Sequence, residues 1–180
     1  MKGRTKLIAR LLAAMGLMVV LTAGVAIAQA QIICTGGVCE GTQADNLMRG
    51  TRGANMIIAK GGTDGVNARG GSDSVLGGPG SDDPSSSPSG HNPSYHLEGG
   101  PGHDHVHGGA GDDSVTDEYG TAIGYPSDTD VLFGGCANDF LNGLHGDNRD
   151  YLDCGPGHNL YMADPGDTVR ANCQKNIGSQ

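Results

Sequence analysis

Residues 99–116 read GGPGHDHVH GGAGDDSVT, two nine-residue units laid end to end. Each opens on a glycine pair, with a third glycine three residues after the first, an Asp five after it and an apolar residue seven after it. The positions are Gly99, Gly100, Gly102, Asp104 and Val106, then Gly108, Gly109, Gly111, Asp113 and Val115. Glycine takes positive φ without a Cβ penalty, so such a run turns tightly and its carbonyls can converge on one point. The Asp adds a charged oxygen where the turn ends. The apolar residue two positions later faces the opposite side of a short strand from the residue between them. One unit is therefore half of a coil, made of an oxygen-rich loop and a core-facing strand.

Working outward, the same Asp-x-apolar step recurs. Before the pair it gives Asp45/Leu47, Asn55/Ile57, Asp64/Val66 and Asp73/Val75, with Asp82 next in step but followed by Pro84, at intervals of ten, nine, nine and nine. After it come Asp130/Leu132, Asp139/Leu141, Asp150/Leu152, Asn159/Tyr161 and Asp167/Val169, at nine, eleven, nine and eight. Calcium takes six to eight oxygens from carboxylates and carbonyls in a forgiving geometry, so loops of this make-up suit it better than magnesium or a soft metal. The expected calcium ligands are Asp64, Asp73, Asp82, Asp104, Asp113, Asp130, Asp139 and Asp150, with the glycines of 99–111. Asp45, Asn55 and Asn159 are weaker candidates, the two amides because they lack charge and Asp45 because its unit has no glycine pair.

The blocks set the organisation. Residues 1–28, with a basic start, an apolar run and Ala26-Ile27-Ala28, read as a secretory signal peptide cleaved after Ala28 or Ala30. An N-terminal cap at 29–40 precedes a first repeat block at 41–83. The Pro/Ser-rich stretch 84–97 cannot continue a strand ladder and reads as a flexible insertion. A second block at 98–117, a loop at 118–129 and a third block with a C-terminal cap at 130–180 complete the chain. No stretch after the leader has helical periodicity, so the expected fold is all-β, a parallel roll or solenoid of nine-residue repeats.

Composition agrees. With two Phe, five Tyr and no Trp among 180 residues, a conventional globular core is hard to build. The leader holds four of the eleven basic residues, which leaves seven against twenty acidic residues, a balance of −13. A chain this acidic repels nucleic acid. Seventeen of the acids are Asp, the acid of turns and compact cation sites. Nothing points to catalysis, since HExxH, GxSxG and P-loop patterns are all missing.

Five cysteines suit an oxidising, extracellular setting. Cys34 and Cys39 enclose a tight TGGV loop, and Cys154 and Cys173 are separated by about one full coil, so both pairs are expected to bridge and staple the ends. Cys136 with Cys154, eighteen apart, fits the same geometry. His103, His105 and His107 alternate and, as a strand, would share one face able to hold a transition metal; equally they occupy variable outward positions of the repeat.

The pattern GGxGxDxUx, kept twice without error, resembles the RTX, or haemolysin-type, calcium-binding repeat. The resemblance implies a β-roll in which two nonapeptides make one turn and calcium sits between loops eighteen residues apart. That pairs Asp64 with Asp82, Asn55 with Asp73 and, after a one-residue slip, Asp45 with Asp64. Asp139 with Asn159 is off by two, and Asp104 and Asp113 need partners across interruptions, with Asp82 before and Asp130 after. The function expected is a secreted calcium-binding repeat protein that folds on its ion, with no membrane span once the leader is removed. The alternative is an extracellular scaffold whose partner docks on the insertion and the outward histidines.

Overall fold

An apolar side chain every ninth residue leaves room for one short strand per unit, and strands are what the chain forms. A computed structural model of the protein describes residues 30–83, 96–117, 128–144 and 149–176. The expected leader, and the larger part of both interruptions, lie outside the described residues. In chain order the strands are β1 (Ala30–Ile33), β2 (Gly37–Glu40), β3 (Asn46–Arg49), β4 (Asn55–Ile58), β5 (Gly65–Asn67), β6 (Ser74–Pro79), β7 (Leu97–Glu98), β8 (His105–Ala110), β9 (Ser114–Thr116), β10 (Val131–Cys136), β11 (Phe140–Gly143), β12 (Tyr151–Asp153), β13 (Leu160–Ala163), β14 (Thr168–Val169) and β15 (Lys175–Asn176). Among the described residues there is no helix, and so none long and apolar enough to cross a membrane.

Successive strands never pair. The odd-numbered strands form one eight-stranded parallel sheet, β1-β3-β5-β7-β9-β11-β13-β15, and the even-numbered a seven-stranded one, β14-β12-β10-β8-β6-β4-β2. Two units therefore make one turn, and the fold is the β-roll that the spacing predicts.

The core is one side chain deep on each sheet. Down the odd sheet the inward residues in register are Ile32, Met48, Val66, Leu97, Val115, Leu141 and Tyr161. Down the even sheet they are Cys39, Ile57, Val75, Val106, Leu132, Leu152 and Val169. Each fully buried Val, Leu or Ile contributes roughly 1.5–3 kcal/mol. With a single such residue per strand, the corners between the sheets decide whether the stack holds.

Three expectations shift. In the first block the inward pair is Asn46 and Met48 rather than Asp45 and Leu47, so the interval of ten becomes a regular nine. The insertion ends earlier than expected, because Leu97 is already fully buried in β7. Residues 30–40 are not a separate cap; β1 and β2 pair in register with β3 and β4 as the first turn of the roll. Both expected disulfides are present, Cys34–Cys39 across the first corner and Cys154–Cys173 between the last two rungs of the even sheet. Cys136 is free and exposed, which excludes the Cys136–Cys154 pairing in this structure.

Candidate metal centres

Where a strand begins, the sixth residue of each unit turns inward instead of into solvent. Its Oδ1 accepts the backbone N–H of its counterpart one rung away, which leads to two continuous columns, one on each edge of the roll. On one edge Asn46 donates to Asp64 at 2.8 Å, Asp64 to Asp82 at 2.7 Å, Asp82 to Asp113 at 2.9 Å, Asp113 to Asp139 at 3.0 Å and Asp139 to Asn159 at 2.7 Å. On the other, Asn55 donates to Asp73 at 2.7 Å, Asp73 to Asp104 at 2.7 Å, Asp104 to Asp130 at 2.6 Å, Asp130 to Asp150 at 2.8 Å and Asp150 to Asp167 at 3.0 Å. The expected pairs of Asp64 with Asp82, Asn55 with Asp73 and Asp139 with Asn159 are therefore neighbours. Asp104 and Asp113 find partners across both interruptions, Asp113 with Asp82 and Asp104 with Asp130.

The second carboxylate oxygen is the informative one. In Asp64, Asp73, Asp104, Asp113 and Asp139, Oδ2 is buried and no donor reaches it. A carboxylate without water or donors resists ionisation. Burial, opposed by the one backbone N–H that each accepts, pushes Asp73 and Asp139 up to about 6, Asp64 and Asp82 to about 7, and Asp104 and Asp113 to about 8. Neighbouring carboxylates add to the rise at Asp104 and Asp113.

The glycines explain why no side chain fills these corners. A Cβ on Gly99 or Gly108 would lie 2.6 Å from Oδ2 of Asp104 or Asp113, and one on Gly134 would lie 2.5 Å from that of Asp139. The second glycine has positive φ, 91° at Gly100 and 128° at Gly109, and a Cβ there would run into the carbonyl of Arg69 or Gly78 on the neighbouring rung. Carboxylate oxygens and stacked backbone carbonyls thus line each corner, a hard-oxygen donor set that fits calcium.

The amide-bearing loops are built differently. Asn46 and Asn55 accept the N–H of Thr42 and Thr51, each at 2.7 Å, and both amides meet the threonine hydroxyls at 3.1 and 3.2 Å. Asn159 donates Nδ2 to the carbonyls of Cys154 at 3.1 Å and Gly155 at 3.0 Å. In these end loops the amide itself makes the contacts that in the glycine loops are left to be satisfied. Asp45 faces outward, accepting the N–H of Thr63 at 2.9 Å as part of a second, outer ladder. On the opposite edge His103 makes the equivalent outer contact, its Nδ1 accepting from Thr129 N–H at 2.9 Å in the loop before β8. His105 and His107 lie exposed on the strand, with the His107 ring stacked 5.7 Å from Phe133.

One residue with metal-binding potential escapes the repeat reading. Asp117, Asp130 and Asp150 are all buried and present carboxylate oxygens within 4.8 Å of one another, the one such group of three among the described residues. Asp117 stands where the motif has its first glycine, and that displaced carboxylate was the available signal.

Comparison with known proteins identifies the repeat. The family profile of the RTX calcium-binding nonapeptide repeat matches four times, over residues 40–75, 49–83, 96–116 and 127–160. Neither curated proteins nor solved structures give a significant match.

Proposed function

This chain belongs to the RTX calcium-binding nonapeptide repeat family, and from that premise we propose that it is a secreted protein that takes up its roll on binding calcium. One observation carries the reading: five glycine loops each bury a carboxylate oxygen that has no donor. Bound calcium supplies the positive charge and the coordination that these oxygens lack. Asp64, Asp73, Asp104, Asp113 and Asp139 would hold it together with the loop carbonyls. Without it each carboxyl must carry a proton or leave the corner, and a core one side chain deep does little to offset that cost. Binding free energy then becomes folding free energy. Two disulfides and the leader-like start support an extracellular setting, where calcium is plentiful. No catalytic step belongs to this reading.

The test is far-UV circular dichroism of residues 29–180, stripped with chelator and titrated with calcium, with magnesium and zinc as controls. A calcium-specific gain of β-structure is expected. A chain equally folded in chelator and in millimolar calcium would sink the proposal.

A second reading, a partner-binding scaffold with purely structural calcium, draws on the outward face of the even sheet. There Val38, Met56 and Leu76 are exposed, and Phe133 and Tyr151 continue the apolar face. Met56→Ser with Leu76→Ser should abolish surface attachment and leave calcium-induced folding unchanged if that face is the contact.

A further inference from the structure

The column that holds the first residue of each loop on one edge of the roll is filled by small residues, with one departure. Backbone hydrogen bonds align it unambiguously: Gly50 donates to Asn67, Ala68 to Glu98, Gly99 to Thr116 and Asp117 to Asn142. Asp117 therefore occupies the level between Gly99 and Gly143. At those two levels the place of a Cβ lies 2.6 Å from Asp104 Oδ2 and 3.2 Å from Asp150 Oδ2, so a side chain in this column projects onto the inward carboxylates. In Asp117 that side chain is itself a carboxylate.

We propose that Asp117, Asp130 and Asp150 form a calcium site of a second kind, held by three buried carboxylates in place of a glycine loop, and that it is the first site on the roll to fill. Two independent observations carry this. Asp117 and Asp130 come from opposite ends of an interruption on one rung and Asp150 from the next rung, yet their oxygens lie within 4.8 Å of one another. Within the group, Asp130 is fully buried; its Oδ1 accepts the Asp104 N–H, and its Oδ2 has no hydrogen-bond donor. What faces Asp130 is the carboxyl of Asp117, another acceptor when ionised. Burial and the adjacent Asp117 carboxylate both oppose a bare charge on Asp130. Such a group holds either a shared proton or a cation. More converging charge makes a tighter oxygen site, so three carboxylates bind calcium ahead of the glycine loops.

The inference rests on the calcium-dependent roll, and its test separates the two. Calcium binding to the full chain is measured by isothermal titration and equilibrium dialysis at pH 7.5, for wild type, Asp117→Asn and Asp117→Gly. Asp117→Gly restores the small residue that the column holds elsewhere, so it keeps the fold if Asp117→Asn does not. The expected result is one ion fewer per chain and a first binding step weakened at least tenfold, with the later steps unchanged. Wild type and both variants binding the same number of ions with the same first constant overturns the site and leaves the roll intact, the cluster then holding only a proton. Wild type that binds no calcium overturns both readings.

Discussion

Replacing Asp113 with Asn should change the sign of its effect with the calcium level. Asp113 sits mid-column, its Oδ1 accepting the Asp82 N–H and its Oδ2 buried without a donor. At the end of the same column Asn159 shows what an amide does there: Oδ1 keeps its rung contact and Nδ2 donates to two corner carbonyls. The Asp113 carboxyl lies at about 8 in the metal-free roll against 3.8 for a free Asp, so at pH 7 the roll must hold a proton that the unfolded chain has released. Across the 3.2 units between 3.8 and pH 7, at 1.36 kcal/mol each, this costs the metal-free roll up to about 4 kcal/mol. Asp113→Asn removes that cost, while in saturating calcium it forfeits one ion, about 2.7 kcal/mol when calcium stands at a hundred times the dissociation constant. Far-UV circular dichroism in chelator and urea denaturation in calcium read the two arms. The β-signal should rise in chelator and the urea midpoint should fall in calcium. Equal destabilisation in both would refute the claim that the corner carboxylates oppose folding until an ion arrives.

Other outcomes follow from the same geometry. Because the buried Asp carboxyls lie above the free value, the metal-free roll is most stable below pH about 4 and loses stability as pH rises through about 6 to 8; a pH series of far-UV spectra in chelator should show β-structure at acid pH that melts toward neutrality. Gly109→Ala puts a side chain at φ 128° into the Gly78 carbonyl and should cost about 3 kcal/mol or more, seen as a lowered urea midpoint even at high calcium. Thr51→Val removes the hydroxyl that meets Gly53 and Asn55 and should cost about 1–2 kcal/mol by the same amount in chelator and in calcium, since that loop closes without an ion.

The two unbroken units at 99–116 carry the architecture, because their spacing alone dictates a half-turn per nine residues. The family resemblance they carry implies the pairing of Asp64 with Asp82, while Cys34–Cys39 is read from its own four-residue loop and Cys154–Cys173 from a separation of about one turn. Phase is legible only where glycines mark it. At Asp45-Asn46-Leu47-Met48 two overlapping steps satisfy the same local rule, and the choice of Asn46 and Met48 comes from register with Asp64 and Val66 on the next rung, which local spacing does not contain. Leu97 is hidden for a similar reason: a two-residue strand beside a Pro/Ser-rich run has no periodicity of its own and is held by its neighbours Val66 and Val115. The closure of the Asn loops by Thr42 and Thr51 turns on hydroxyl and amide geometry that a search for carboxylates passes over. Asp117 escapes because its partners lie across an interruption.

In both sheets the strands succeed one another in a single direction, so β1 and β15 stand at opposite ends of the stack. Seven inter-strand steps make the folded roll about 34 Å long. The same span of chain, if extended, reaches roughly 500 Å. If the coiling depends on calcium, as proposed, the chain is a tether whose reach is set by that ion. Tension on its two ends peels rungs from the outside inward, against end turns that the disulfides hold closed.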